Sequence, residues 1–349
     1  MPFRIHPAEP YTWLKMQILR VNPARPEPET VDRAAAVLRE GGLVAFPTET
    51  VYGLGAAALD PAAVERIYQA KGRPAYNPLI VHVAGVEEAR ALSSAWPEAA
   101  DRLAERFWPG PLTLVVPRAP EIPDAVSAGL GTVGIRVPAH PVAHALLRAA
   151  GIPVAAPSAN RSMGVSPTTA EHVRRSLGNA VDLIVDGGPC PVGIESTVLS
   201  LAGEVPTILR PGSIGVDELR QVLGRVELAS AEPAGDAARP SPGMLDRHYA
   251  PRAEVRMFDA GGREAVFAKA VWAASDDRAV GVIAFAPVSA SGAEVVEMPD
   301  HAAAYAARLY AALHALDAAG CEVIWIEHVP ESAEWAGVRD RLRRAATAG

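Results

Sequence analysis

Short apolar runs alternate with segments of helical spacing along the chain, and polar islands stand where the apolar runs stop. The pattern predicts a helix from Val31 to Glu40, capped by Thr30, with Ala34, Val37 and Leu38 inward and Gly41-Gly42 as its stop. A strand from Leu43 to Phe46 follows. Asp60-Pro61 reads as an N-cap and a first-turn proline, Val64, Ile67 and Tyr68 recur at helical spacing, and Gly72 ends that helix after Lys71. Leu79 to Val83 reads as a buried strand and Glu98 to Phe107 as a helix; Trp108-Pro-Gly-Pro111 turns the chain into a strand from Leu112 to Val116.

The alternation then repeats. Strands are expected at Thr132 to Val137, Ile152 to Ala156, Asp182 to Val185, Ser196 to Leu201 and Thr207 to Arg210. Helices are expected at Pro141 to Ala150, Thr169 to Leu177 and Asp217 to Leu223. Strands and helices in this order predict an α/β fold with a mixed sheet and helical cover. Between Leu228 and Pro251 the composition shifts to Ala, Pro, Gly and Asp without periodicity, which marks a linker. Beyond it, a strand Glu254 to Phe258, a helix near Arg263 to Ala274, a strand Val280 to Phe285, a helix His301 to Ala319, a strand Glu322 to His328 and a last helix from Ala333 predict a small Rossmann-like unit. The expected organisation is a peripheral extension at residues 1–15, a first domain at 16–227, a linker at 228–251 and a second domain at 252–349.

With 349 residues and 49% apolar content, two domains are the natural expectation. A net charge of -7 argues against a nucleic-acid-coating surface, whose footprint is strongly basic, and leaves direct tRNA binding undecided. Cys190 and Cys321 are far apart and outside any C-x-x-C, so neither a disulfide framework nor a zinc knuckle is available, and a reducing cytoplasm fits. No apolar run approaches the roughly 18 residues that a membrane span needs.

Several chemistries are excluded by their motifs. Gly53-Leu-Gly55 imitates a dinucleotide fingerprint, but no helix opens there. There is no P-loop, and Ser158 and Ser196 lack a nucleophile elbow. His140 and His144 have the spacing of zinc ligands without a Glu between them or a third ligand, so capping and packing suffice.

The stretch Ala70 to Val83 concentrates polarity between a helix end and a strand, with Pro74 and Pro78 stiffening the turn. Alone, Lys71 would complement the helix dipole and Arg73 would be a solvated loop charge. Four further islands change that reading: Phe46 to Gly55, Ala156-Pro-Ser-Ala-Asn160, Gly193 to Val198 and Leu209-Arg-Pro-Gly-Ser213 all interrupt strand-like sequence, where open α/β sheets bind ligands. Lys71, Arg73 and Arg210 then offer charge for a triphosphate, Ser158 and Asn160 hydroxyl and amide groups, and Arg136 a clamp for a carboxylate.

Thr48-Glu-Thr50, Lys71-Gly-Arg73, Ser158-Ala-Asn160 and Ser241-Pro-Gly-Met-Leu-Asp-Arg-His-Tyr-Ala-Pro251 together resemble the threonylcarbamoyl-AMP synthase family, in its long form with a YrdC-like catalytic domain. The resemblance implies a twisted sheet with a concave active-site face. It also implies synthesis of L-threonylcarbamoyl-AMP from L-threonine, bicarbonate or CO2 and ATP, with magnesium carried by ATP and pyrophosphate and no separate protein metal site. The product would feed a transferase that modifies tRNA. Lys71 and Arg73 fall on the family's K-x-R pair, and Ser158 and Asn160 on its S-x-N pair, as catalytic residues. Arg73, Asn77, Thr132, Ser158, Ser166, Arg210 and Tyr249 match ATP-binding positions; Thr50, His82, Arg136, Ala156 and Ser196 match threonine-binding ones. Tyr249 lies in the linker, which would close over the site as a lid.

Two rivals remain open at this stage. A carbamoyl-adenylating domain of the hydrogenase-maturation type shares the fold, but two lone cysteines lack its zinc segments. A non-catalytic RNA-binding module would need a basic face; Arg339, Arg341, Arg343 and Arg344 form a local basic cluster, read here as the solvated face of the terminal helix.

Overall fold

The structure, a computed structural model, describes residues 16–229, 239, 241–242, 248–268, 279–285 and 292–346. Its first sheet is built from β1 (Gln17–Arg20), β2 (Val44–Phe46), β3 (Gly53–Ala57), β4 (Ile80–His82), β5 (Leu112–Pro117), β6 (Thr132–Arg136), β7 (Val154–Ala155), β8 (Leu183–Asp186), β9 (Thr197–Ser200), β10 (Thr207–Arg210) and β11 (Glu227–Leu228). The order across it is β1-β8-β2-β3-β7-β4-β6-β5-β9-β10-β11, with parallel and antiparallel pairs mixed. The second sheet is wholly parallel: β12 (Glu254–Phe258), β13 (Val280–Ala284), β14 (Ala293–Glu297) and β15 (Val323–Glu327) in the order β12-β15-β13-β14. The mixed α/β sheet and the second Rossmann-like sheet are as the alternation predicts.

Local chemistry explains why these elements start and stop where they do. In the helix Pro61–Lys71, the Asp60 carboxylate accepts from the Ala62 N–H at 2.9 Å, and Gly72 ends the helix in the left-handed region at φ 59°. His140 caps the helix Pro141–Ala150, its Nδ1 accepting from the Val142 N–H, and His144 meets the Ala84 carbonyl. The pair therefore caps and packs. The first helix corrects the sequence reading, because it runs Pro28–Arg39 and Glu27 precedes it without a side-chain cap. Pro28, with its fixed φ and no N–H to satisfy, starts the helix before Thr30 is reached.

Besides the short helix Asp124–Ser127 and the edge strand β11, three elements in particular were not predicted. The strand β3 reads as loop because it is Gly-Leu-Gly-Ala-Ala, yet it lies in the sheet centre, where a Cβ on Gly55 would stand 2.8 Å from the Phe46 ring. The helix Val86–Ala91 and the strand β14 are short and poorly periodic. The helix expected at Arg263 to Ala274 and the linker at 228–251 fall partly outside the described residues.

One helical face packs Ala34, Leu38, Leu146 and Leu147 over β2 and β8; the other buries Val64, Ile67, Leu103, Val173 and Leu219. A third core crosses the domains, joining Val51, Val165 and Ile194 to Tyr305, Leu309, Leu313 and Val338. Beside it the backbones come close at Gly193, at φ 78°, where a Cβ would stand 2.4 Å from the Ala306 carbonyl. Gly193→Ala is therefore expected to cost about 2 kcal/mol or more through overpacking and backbone strain. Urea unfolding followed by tryptophan fluorescence checks this; an unchanged midpoint would show that the interface gives way easily.

Candidate active site

The ends of β4 and β6 set one wall of a cleft. They pair in parallel with His82 opposite Arg136, so the two side chains emerge side by side. Thr48 makes a tight turn after β2, its hydroxyl bonded to the Val51 carbonyl, and this presents Glu49 and Thr50. Arg136 donates to Glu49 Oε1 at 2.5 Å, to Thr50 Oγ1 at 3.0 Å and to the Gly110 carbonyl at 3.2 Å. Ala156, Pro157 and Ser158 leave β7 along the floor, where Ser158 bridges Gly53. Ser196, just before β9, and Arg210, at the end of β10, face them: Arg210 donates to the Ser196 carbonyl at 3.0 and 3.1 Å and to its hydroxyl at 3.1 Å. Linker residues Pro242, His248 and Tyr249 complete the lining.

Of the residues expected at the site, Thr50, Arg73, His82, Arg136, Ala156, Ser158, Ser196, Arg210 and Tyr249 line this cleft. Others stand behind it. Lys71 is buried, with Nζ donating to the carbonyls of Ser158 at 2.6 Å and Asn160 at 2.5 Å, so it fixes the floor loop rather than facing the opening. Asn160 donates through Nδ2 to the carbonyls of Arg161 and Gly164, while its Oδ1 has no partner among the described residues. Asn77 is fully buried and neither of its side-chain polar atoms has a partner there. Ser166 donates to Glu195 at 2.5 Å. Thr132 lines a smaller adjoining cavity with Thr113 and Ser127, and Pro242 is common to both.

Burial dominates the electrostatics. Arg73 donates to the carbonyls of Asn77 and Pro78; desolvation, with Arg210 adding to it, lowers its pKa to about 10, which leaves it cationic at neutral pH. Lys71 is shifted well down by burial and by Arg73. His82 is held near pKa 3, first by desolvation and then by Arg136, and its Nδ1 has no partner among the described residues. It is neutral at physiological pH. Glu195 goes the other way: burial alone would raise it, but Arg341, Arg210 and the Ser166 hydroxyl together bring it down to about 2.

The sequence reading missed Glu49, Glu195, His248 and Arg341 as parts of the site. Glu49 and Glu195 sit inside islands already singled out, where a carboxylate between Thr48 and Thr50, or between Ile194 and Ser196, was the available signal, and His248 sits in the Ser241 to Pro251 stretch. Arg341 had no local signal, and its solvated reading is corrected: Arg341 and Arg344 are 1% and 3% exposed, because Asp340 and Glu195 compensate their charge. Among the described residues no group of His, Cys, Asp and Glu could hold a metal ion, and no helix is long and apolar enough to cross a membrane.

Buried neutral histidines make stability depend on pH. His82 and His248 both have folded pKa values near 3, below the unfolded value of about 6.5, so only the unfolded chain gains protons as pH falls from 6.5. Each should withdraw up to about 1.4 kcal/mol per pH unit between roughly pH 6 and 3, and nothing above 7. His82→Asn should flatten that slope in urea unfolding at pH 5 to 7; an unaltered slope would mean His82 is solvated.

Two family profiles match the chain, one described as Telomere recombination over residues 36–212 and one as Threonylcarbamoyl-AMP synthase, C-terminal domain over residues 214–347. The threonylcarbamoyl-AMP synthase of Pyrococcus abyssi is 44% identical over 318 residues, 89% of this chain and 92% of the relative. That of Bacillus subtilis is 43% identical over 321 residues, 90% of this chain and 92% of the relative. The crystal structure of P. abyssi Sua5 complexed with L-threonine superposes with a TM-score of 0.89 at 42% identity, covering 95% of this chain and 98% of that one.

Proposed function

Because the chain belongs to the threonylcarbamoyl-AMP synthase family, we propose that its cleft joins L-threonine, bicarbonate or CO2 and ATP into L-threonylcarbamoyl-AMP with release of pyrophosphate, acting as a nucleotidyltransferase. The observation that carries this reading is a cleft lined by the fixed cations Arg73, Arg136 and Arg210, with an uncharged histidine beside Arg136. Arg136, held in plane by Glu49 and Thr50, offers its fork to the threonine carboxylate. The unpartnered Nδ1 of His82, the Ser196 hydroxyl and the Ala156 backbone suit the amine and side-chain hydroxyl. Threonine binding by the P. abyssi relative supports this end.

At the other end Arg73 and Arg210 face the triphosphate, Ser158 offers a hydroxyl, and Tyr249 covers the nucleotide from the linker. Asn77 and Asn160, with unpartnered side-chain atoms, stand behind this wall, where a small shift on nucleotide binding would bring them to the ribose or phosphates. Magnesium enters with the nucleotide, as part of the substrate.

The chemistry then follows from position. The threonine amine adds to CO2 and loses a proton to give a carbamate. Its oxygen forms a bond to the α-phosphorus while the bond to pyrophosphate breaks, and charge growing on the leaving group meets Arg73 and Arg210. A carbamate is short-lived in water, so the covering linker has a use. The product goes to a downstream threonylcarbamoyl transferase acting on tRNA, and two free, buried cysteines suit a reducing cytoplasm.

Pyrophosphate release from ATP with magnesium should require L-threonine and bicarbonate together, with serine as the weaker control. Release driven by carbamoyl phosphate instead would favour the carbamoyl-adenylating rival. Arg73→Ala should lower kcat/KM for ATP by roughly 100-fold or more while the protein stays folded. Arg136→Leu should raise KM for L-threonine by about tenfold or more and leave that for ATP nearly unchanged; a rise in both would place Arg136 in the framework instead.

A further inference from the structure

We propose that Arg341, on the helix Ala336–Ala346 of the second domain, is a positioning residue for nucleotide binding, acting through Glu195 and Tyr249. The inference rests on the reading of the cleft given above. Glu195 forms part of the cleft wall, where an unneutralised carboxylate would repel a polyphosphate. Both its oxygens are engaged: Oε1 accepts from the Ser166 hydroxyl at 2.5 Å, and Oε2 accepts from the Tyr310 hydroxyl at 2.9 Å and Arg341 Nε at 2.8 Å.

Arg341 spreads its remaining donors around the same point. Nη2 donates to the Glu195 carbonyl at 3.3 Å, and Nη1 to the Pro211 carbonyl at 2.8 Å and to Asp340 Oδ2 at 2.7 Å. Its guanidinium lies 5.0 Å from the centre of the Tyr249 ring, which stacks on Tyr310 at 5.9 Å. One planar cation thus orients the Ser166 hydroxyl through Glu195, removes negative charge from the wall and seats the linker tyrosine. Lysine would supply charge but neither the fork nor the flat face.

A simple staple between domains would affect both substrates alike. A positioning residue on the nucleotide wall should act on ATP alone, and its loss should be repaired by neutralising Glu195. The test uses the full chain with R341M, R341K, E195Q and the double variant E195Q/R341M, each checked for folding by urea unfolding. R341M is expected to raise KM for ATP about tenfold or more, with KM for L-threonine within about twofold, and E195Q/R341M is expected to recover most of the loss. Should R341M fail to fold, folded R341K carries the test with a smaller rise confined to ATP. Unchanged ATP affinity in folded R341K or R341M, equal rises for both substrates, or a double variant no better than R341M would overturn the inference. Calorimetric titration with ATP alone separates the two readings. If wild-type protein binds ATP but releases no pyrophosphate, the reaction fails and the binding constants of the variants still decide on Arg341; if wild type binds no ATP, both fall.

Discussion

Burying cations is the constraint from which the site takes its shape. Lys71, Arg73, Arg136 and Arg210 are 2%, 9%, 4% and 4% exposed, and the carboxylates buried among them are Glu49 and Glu195. Charge left over must be met by dipoles, since an uncompensated buried ion is too costly to keep. Backbone carbonyls of Ser158, Asn160, Asn77, Pro78, Ser196 and Pro242 therefore turn toward these side chains. The loops at the strand ends are bent by the cations they solvate. A cleft built this way has its donors aimed before any ligand arrives, which is what phosphate chemistry asks of a protein.

That arrangement also explains which parts were legible in the sequence. Helices such as Pro61–Lys71 and Glu98–Phe107 carry their own start and stop signals, and their residues name them. Polar islands after apolar runs pointed to Thr50, Ser158, Ser196 and Arg210 for the same local reason. The strand β3 was hidden because its glycines serve close approach to Phe46 and Val154, contacts invisible along the chain. Glu49 and Glu195 were hidden differently, since a buried acidic residue makes sense only once Arg136 and Arg341 stand opposite.

The second domain is no mere appendage. Its helix Ala302–Ala318 supplies Tyr310, and its terminal helix supplies Arg341 and the Arg344 carbonyl that accepts from the His248 N–H. The Ala250 N–H reaches back to the Met163 carbonyl of the first domain. Residues 248 to 250 are thus held from both sides, with Tyr249 at φ 60°, a left-handed conformation that a bulky residue adopts only when its surroundings impose it.

The span between Glu195 and Arg341 has a consequence in time. The two are separated by 146 residues, so a ribosome adding roughly 5 to 20 residues per second completes Glu195 long before Arg341 is made. For an interval on the order of ten seconds the first sheet exists with a carboxylate that has no cation from the second domain. During that interval the emerging chain can fold its first sheet, with Glu195 facing Arg210 but not yet Arg341. Assembly order thereby makes this ion pair one of the last contacts of the first domain to form, once the terminal helix has docked.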